Sequence, residues 1–244
     1  MAPLDGKTAI VTGASSGIGA AITRALTREG VRVAAGARRV ERIPEEATAL
    51  ELDVSEPDSS ERFVAAAVEE LGGLDILVNN AGLAVGRDPF WQSTESDEQI
   101  VLETNVNGLL RMTRLCLQHI RDGGHIVNLG STAGREPYEN AAVYVTSKYA
   151  VRGFTYALRH DLLGRPIRLT TVDPGLVQTN FSEVRFRGDT ERAKQVYANV
   201  EPLTPDDIAE CVIFALTRPL HVNVDEIVVK ALAQSTASRI LRSA

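Results

Sequence analysis

Short β-rich runs alternate with longer helical patterns along the whole chain, and that alternation leaves few architectures open. Residues 8–11 read as a first strand. A helix follows over 18–29, with Ile22 and Leu26 on one face and Gly30 as its stop. Strand signals recur at 31–35, 49–52, 75–78, 125–129, 167–172 and 226–229, and helical patterns at 57–71, 97–120, 142–163 and 205–216. Strands separated by helices of this length are βαβ units, which build a mostly parallel sheet with helices on both faces. With right-handed crossovers, the simplest solution is a single-domain α/β fold over residues 1–244. It would be a Rossmann-type doubly wound parallel sheet of about seven strands. Between the second and third strands only residues 40–47 remain, interrupted by Pro44, so a helical turn or loop is expected there. The charged segment 181–200, which contains Gly188, is the expected lid.

Composition removes several other classes. A chain of 244 residues with 44% apolar and 24% charged residues can bury a continuous core, which argues against a disordered or fibrous chain. No apolar run approaches the ~20 residues that span a bilayer, so no membrane partner is expected. With 26 Lys and Arg against 32 Asp and Glu, the net charge of −6 lacks the basic footprint of a nucleic-acid binder. Cys116 and Cys211 form no disulfide framework. His119, His125, His160 and His221 show no ligand spacing, so no metal is expected. Residues 1–7 lack a secretory apolar stretch, and a reduced, cytoplasmic setting is the expectation.

The segment Thr12, Gly13, Ala14, Ser15, Ser16, Gly17, Ile18, Gly19 sits where the first strand turns into the first helix. Gly13 permits the tight turn, Gly17 lets backbone approach a pyrophosphate, and Gly19 lets helix pack on strand. The helix N-terminus then offers free N–H groups to phosphate. This predicts a dinucleotide site, although the spacing is G-x-x-x-G-x-G rather than the commoner G-x-G-x-x-G. An NAD site usually carries Asp or Glu at the end of the second strand. Here that position holds Arg38 and Arg39. Guanidinium groups match phosphate with paired hydrogen bonds, so NADP(H) is the expected cofactor.

Tyr144 and Lys148 lie four residues apart on a helix and share a face. A neighbouring ammonium favours a phenolate, which suits a tyrosine that exchanges protons near neutral pH. Ser131 follows the fifth strand, at the sheet edge where doubly wound folds bind ligands.

With these motifs the chain resembles the short-chain dehydrogenase/reductase family over nearly its full length. The matching residues are the loop 12–19, Asp53, Asn79 to Gly82, Asn105 ahead of Gly108, Ser131, Tyr144, Lys148, and Pro174-Gly175 followed by Thr179. The resemblance implies Tyr144 as general acid/base, Ser131 as hydrogen-bond donor to the reacting oxygen, and Lys148 as partner of Tyr144 and of the nicotinamide ribose. It implies that Asn105 holds a relay water, with Asn107 as a nearby competitor. Asp53 and Val54 would meet the adenine, and Asn79, Ala81 and Gly82 the adenosine ribose. Pro174, Gly175, Val177 and Thr179 would hold the carboxamide.

Later stretches, including 181–189, 203–207 and 221–224, resemble the NADP-dependent 3-hydroxy acid dehydrogenase branch. That implies hydride transfer between the nicotinamide and a small 3-hydroxy acid, 3-oxo acid or aldehyde. A biosynthetic or broad ketoreductase is the alternative, and a non-catalytic cofactor sensor a distant one. An anionic substrate needs a cation. Arg135, Arg185 and Arg187 are candidates, each with solvated or salt-bridged roles as the alternative. Phe90 and Trp91 could wall the substrate or simply pack locally. The tail 235–244 has no clear match. The resemblance also implies a homotetramer in which the helices 97–120 and 142–163 pack across a two-fold axis.

Overall fold

A computed structural model describes residues 4–243. Residues 1–3 and 244, the extremities of the N-terminal segment and tail considered above, lie outside the described residues. Seven strands form one parallel sheet: β1 Thr8–Thr12, β2 Arg32–Ala37, β3 Thr48–Glu51, β4 Leu74–Asn79, β5 Ile120–Leu129, β6 Arg168–Pro174 and β7 Glu226–Val229. Their order is β3-β2-β1-β4-β5-β6-β7, so the winding reverses between β1 and β4. In such sheets the crevice beyond the carboxyl ends at the reversal is the ligand site.

The period of two along each strand decides which helices cover which face. Along β1, Val11 joins the core under α1 (Gly17–Arg28) and α8 (Pro205–Leu216), with Ile22, Leu26, Ile208 and Val212. Its neighbour Ile10 joins the opposite core, with Phe63 of α2 (Pro57–Leu71), Met112 of α4 (Gly108–Cys116) and Leu158 of α5 (Ala142–Asp161). Helix ends follow local chemistry. Pro57 opens α2, and Gly72 closes it at φ 69°, its N–H donating to Val68 O at 2.9 Å. Thr204 and Asp207 form a reciprocal capping box on α8.

The single helix expected over 97–120 is interrupted. It consists of α3 (Glu95–Leu102), a π turn at Glu103–Asn107, and α4, and β5 begins at Ile120 rather than at residue 125. Hydrophobic periodicity registers neither event. The π turn accommodates Asn105, whose amide is bonded to the backbone of Leu83 on both sides, Oδ1 accepting and Nδ2 donating at 2.8 Å each. The early start of β5 depends on Gly123 at φ 81° and on a register shift opposite Leu74–Ile76. The interval 40–47 holds one 3-10 turn, Val40–Arg42, as its length required. The segment 181–200 folds as α6 (Phe181–Arg185) and α7 (Thr190–Tyr197). The tail turns back on its own chain: Arg242 Nη2 donates to Val196 O at 3.0 Å and Ser243 N to Asn199 O at 2.9 Å, beside α7. No helix among the described residues is long and apolar enough to cross a membrane.

At the amino ends of β1 and β4, Asp75 ties the two strands together. Its Oδ2 accepts from Thr8 N and Thr8 Oγ1 at 2.9 Å each and lies 3.2 Å from Arg121 Nη1, while Oδ1 lies 3.6 Å from Lys7 Nζ. Burial alone would raise this carboxyl, but the Thr8 bonds and the two cations outweigh it and hold the group below its ordinary 3.8. A depressed carboxyl contributes stability above its unfolded-state value and loses it as pH falls through the folded one. Asp75→Asn should therefore lower stability at neutral pH by about 1–3 kcal/mol and flatten the loss of stability below about pH 4, read by urea melts across pH.

Candidate active site

Beyond the carboxyl ends of the central strands lies a cavity of about 290 Å³, with the glycine loop at one end and Ser131, Tyr144 and Lys148 at the other. Gly13 (φ 68°) and Gly17 (φ 53°) adopt the left-handed conformation that favours glycine. A Cβ on Gly19 would stand 2.3 Å from Gly13 O, so only hydrogen fits there. Asn80 stitches this loop to β4: its Nδ2 donates to Thr12 O at 2.9 Å, while Asn80 N and Ala81 N donate to Thr12 Oγ1 at 3.0 Å each. Ser16 caps α1 without a side-chain bond to its first turn, and Ser15, Ser16 and Ile18 line the cavity. The uncapped turn faces the cavity with its N–H groups available to an anion.

Arg38 and Arg39, both exposed, line the far wall with Asp53 and Val54. Arg38 Nη1 stands 3.9 Å from Asp53 Oδ2, and Asp53 Oδ1 accepts from Ser55 N at 3.0 Å and Ser55 Oγ at 2.6 Å. Asn79 behaves differently from its neighbours. Its Nδ2 donates to Thr113 Oγ1 and Asn128 Oδ1 at 2.9 Å each, inside the protein, while Asn80, Ala81 and Gly82 line the cavity. It supports the wall from behind.

Lys148 is buried, and its Nζ donates to Leu129 O at 2.9 Å and lies 5.9 Å from the centroid of the Tyr144 ring. Burial pulls the ammonium down to about 8, opposed by the Asp173 carboxylate. Burial also pushes the Tyr144 phenol up, opposed by the cation of Arg185 and a hydrogen bond with Ser131. The cation closest to the Tyr144 ring is thus Arg185, its Cζ 4.9 Å from the centroid. Asn105 is buried and its Nδ2 also reaches Ser147 Oγ at 3.0 Å, joining the Leu83 segment to α5. Asn107 is exposed and bonded to Glu103 Oε1 at 2.7 Å, away from the cavity, which separates the two asparagines. Pro174, Gly175, Val177 and Thr179 line the cavity roof, and Gln234 of the tail anchors it, its Oε1 accepting from Leu176 N at 2.8 Å. No local signal marks Gln234, because the contact spans 58 residues.

The three candidate arginines separate. Arg135 Nε bonds to Asp173 Oδ2 at 2.7 Å, its Nη2 stands 2.5 Å from Glu226 Oε2, and it does not line the cavity. Arg187 is 64% exposed at its side chain and pairs with Asp97 at 2.5 Å, outside the site. Arg185 does not line the cavity itself but packs on two residues that do. Its guanidinium lies against Tyr144 and, at 5.0 Å, Phe181, and Nη2 donates to Tyr138 Oη at 3.0 Å. Its Nε is buried without a partner. Phe90 and Trp91 are 58% and 82% exposed, which is not local packing.

The family profile described as short chain dehydrogenase matches residues 7–189. The chain belongs to the short-chain dehydrogenase family. It is 41% identical to the NADP-dependent 3-hydroxy acid dehydrogenase of Schizosaccharomyces pombe, over 99% of either chain. It is 38% identical to the serine 3-dehydrogenase of Agrobacterium fabrum, over 94% of this chain and 96% of that one. Among solved structures, the closed form of a serine dehydrogenase complexed with NADP+ superposes with a TM-score of 0.89 at 39% identity. That match covers 97% of this chain and 100% of the other. Within this short-chain dehydrogenase, Arg135 is tied to the fold by Asp173, whose carboxyl is pushed up by burial and held down chiefly by that arginine. Arg135→Met should cost about 3 kcal/mol in a thermal or urea melt, because it leaves Asp173 buried and unpaired.

Proposed function

We propose that this chain is an NADP(H)-dependent oxidoreductase interconverting a small 3-hydroxy acid with its 3-oxo acid or aldehyde. The observation that carries the substrate class is Arg185: a guanidinium 4.9 Å from the centroid of the Tyr144 ring that no carboxylate pairs with among the described residues. A substrate carboxylate supplies the missing counter-charge through charge-assisted bonds. The names of the relatives support the same class.

The cavity suits the cofactor. The glycine cradle, which a Cβ at Gly19 would fill, the uncapped start of α1 and the exposed Arg38 and Arg39 fit a dinucleotide with a 2′-phosphate. Arg38 and Arg39 hold that phosphate, Asp53 and Val54 meet the adenine, and residues 174–179 hold the carboxamide. NADP(H), when bound, supplies or takes up the hydride. Tyr144 Oη gives a proton to the carbonyl oxygen in reduction and takes it back in oxidation. Ser131 Oγ donates to the same oxygen and stabilises its developing charge. Lys148 binds the nicotinamide ribose hydroxyls, and Asn105 fixes the Leu83 backbone beside the relay path.

Residues 1–244 act as one domain, with α6 and α7 as its lid. Tyr197 steadies that lid, its Oη lying 2.9 Å from Ser182 Oγ and donating to Val177 O at 3.1 Å. The reading includes a cytoplasmic homotetramer packed through the segments 97–120 (α3 and α4) and 142–163 (α5), the latter with Tyr149 and Tyr156 each 40% exposed. Light scattering tests the assembly.

An NADPH-coupled panel tests the function: L-serine and 3-hydroxypropionate should outpace neutral secondary alcohols, and turnover confined to bulky neutral ketones would refute the acid preference. Tyr144→Phe should lower kcat by about 10²–10⁴-fold while NADPH still quenches protein fluorescence on binding. Arg38→Ala should cut the kcat/KM preference for NADPH over NADH by about tenfold or more.

A further inference from the structure

Arg185 packs on Tyr144, whose phenol exchanges the proton in the proposed reaction, and on Phe181, both of which line the cavity. Its Cζ stands 4.9 Å from the Tyr144 centroid and 5.0 Å from that of Phe181, and the two rings are 5.6 Å apart. Two bonds hold it in place, and Arg87 backs its partner Tyr138. Nη2 donates to Tyr138 Oη at 3.0 Å, Arg87 lies over the Tyr138 ring at 5.8 Å, and Arg185 O accepts from Gly86 N at 2.9 Å. No carboxylate pairs with Arg185 among the described residues. The aromatic faces compensate only part of the lost hydration of such a cation.

Few other charged or titratable groups face Tyr144. Lys148 approaches from the same helix, but its Nζ is bonded to Leu129 O and answers to Asp173 of β6. Ser131 approaches from the loop after β5, and Tyr138 from the loop before α5. Arg185, from α6, is therefore the one fixed charge near the phenol that a substrate anion can neutralise.

We propose that Arg185 couples the charge of the substrate to Tyr144: the unpaired guanidinium stabilises the phenolate, and a carboxylate seated on it withdraws that stabilisation. With a neutral alcohol, Tyr144 is the stronger acid and stands ready as a base for oxidation. With an oxo acid bound, the phenol keeps its proton and delivers it to the carbonyl oxygen as the hydride arrives. The second half of this coupling rests on the proposed role of Arg185 as carboxylate seat; the first half does not. A charge at this distance changes a proton dissociation constant by about tenfold or more.

The test has two readouts. In cofactor-free protein, the tyrosinate absorbance that disappears in Tyr144→Phe reports the Tyr144 midpoint. With cofactor, the pH profile of kcat/KM for a neutral secondary alcohol reports the same group. Arg185→Met should move both midpoints to higher pH, by about tenfold in the dissociation constant, and Arg185→Lys should restore part of the difference. Saturating 3-hydroxypropionate should move the wild-type absorbance midpoint in the same direction and leave that of Arg185→Met unmoved. The wild-type arm stands even where a variant folds poorly.

Unchanged midpoints in a folded Arg185→Met protein would overturn the coupling. The substrate reading is judged separately, by whether that variant loses the preference for acids over neutral alcohols. A midpoint that responds to Arg185→Met but not to 3-hydroxypropionate in the wild type would overturn the carboxylate seat, and the coupling with it.

Discussion

The structure depends on how closely the glycine loop approaches the end of β4. Gly13 lies so near Ala81 that a Cβ would meet its Cα at 2.9 Å, and Gly19 lies nearer still to Gly13 O. Asn80 and Ala81 supply the donors along this contact, and Thr12 Oγ1 and O accept. The pairing of β1 with β4 marks the reversal of the sheet, so the same contact shapes the floor of the crevice. A side chain here would push the first helix away from the strands and close the cavity that faces its N-terminus.

Charge at the other end of the crevice is arranged by degree of pairing. Arg135 is neutralised by Asp173 and Glu226, Arg187 by Asp97, and Lys148 is turned to a backbone carbonyl. Arg185 has only aromatic faces and a phenol hydroxyl. Buried cations without a counter-ion are costly in proteins. Of the basic residues around this end of the crevice, Arg185 is the one closest to the Tyr144 ring and without a carboxylate partner among the described residues. The same arrangement separates an arginine paired with carboxylates from one packed on aromatic rings, although both lie in loops or short helices.

Most of the fold was legible in the sequence because each βαβ unit carries its own local signal. Residues 57–71, 205–216 and 226–229 form the expected elements with those same limits, the two helices bounded by a proline, a glycine or a capping residue. The break at Glu103–Asn107 was not legible, since apolar spacing continues through it and its cause, the bonding of Asn105 to Leu83, is a contact across 22 residues. The early start of β5 escaped for a related reason: Arg121, Asp122, Gly123 and Gly124 do not read as strand, yet pairing with β4 extends to Ile120. At the site, residue types indicated the chemistry but not the direction of each side chain. Asn79 turns into the protein while Asn80, next to it, holds the glycine loop.

The sequence by itself determined the alternation, the glycine loop, the pair of arginines after β2, and the Ser131, Tyr144 and Lys148 set. These are local patterns, and they assign the chain to the short-chain dehydrogenases before any coordinate is known. Tertiary structure decided which of three arginines faces the phenol, which of two asparagines is buried behind the Leu83 segment, and that Gln234 closes the roof over Pro174–Leu176. Those outcomes depend on contacts between residues 22 to 58 positions apart or more. Partner choice at such distances follows from packing of the two helix layers on the sheet, which no local window of residues encodes.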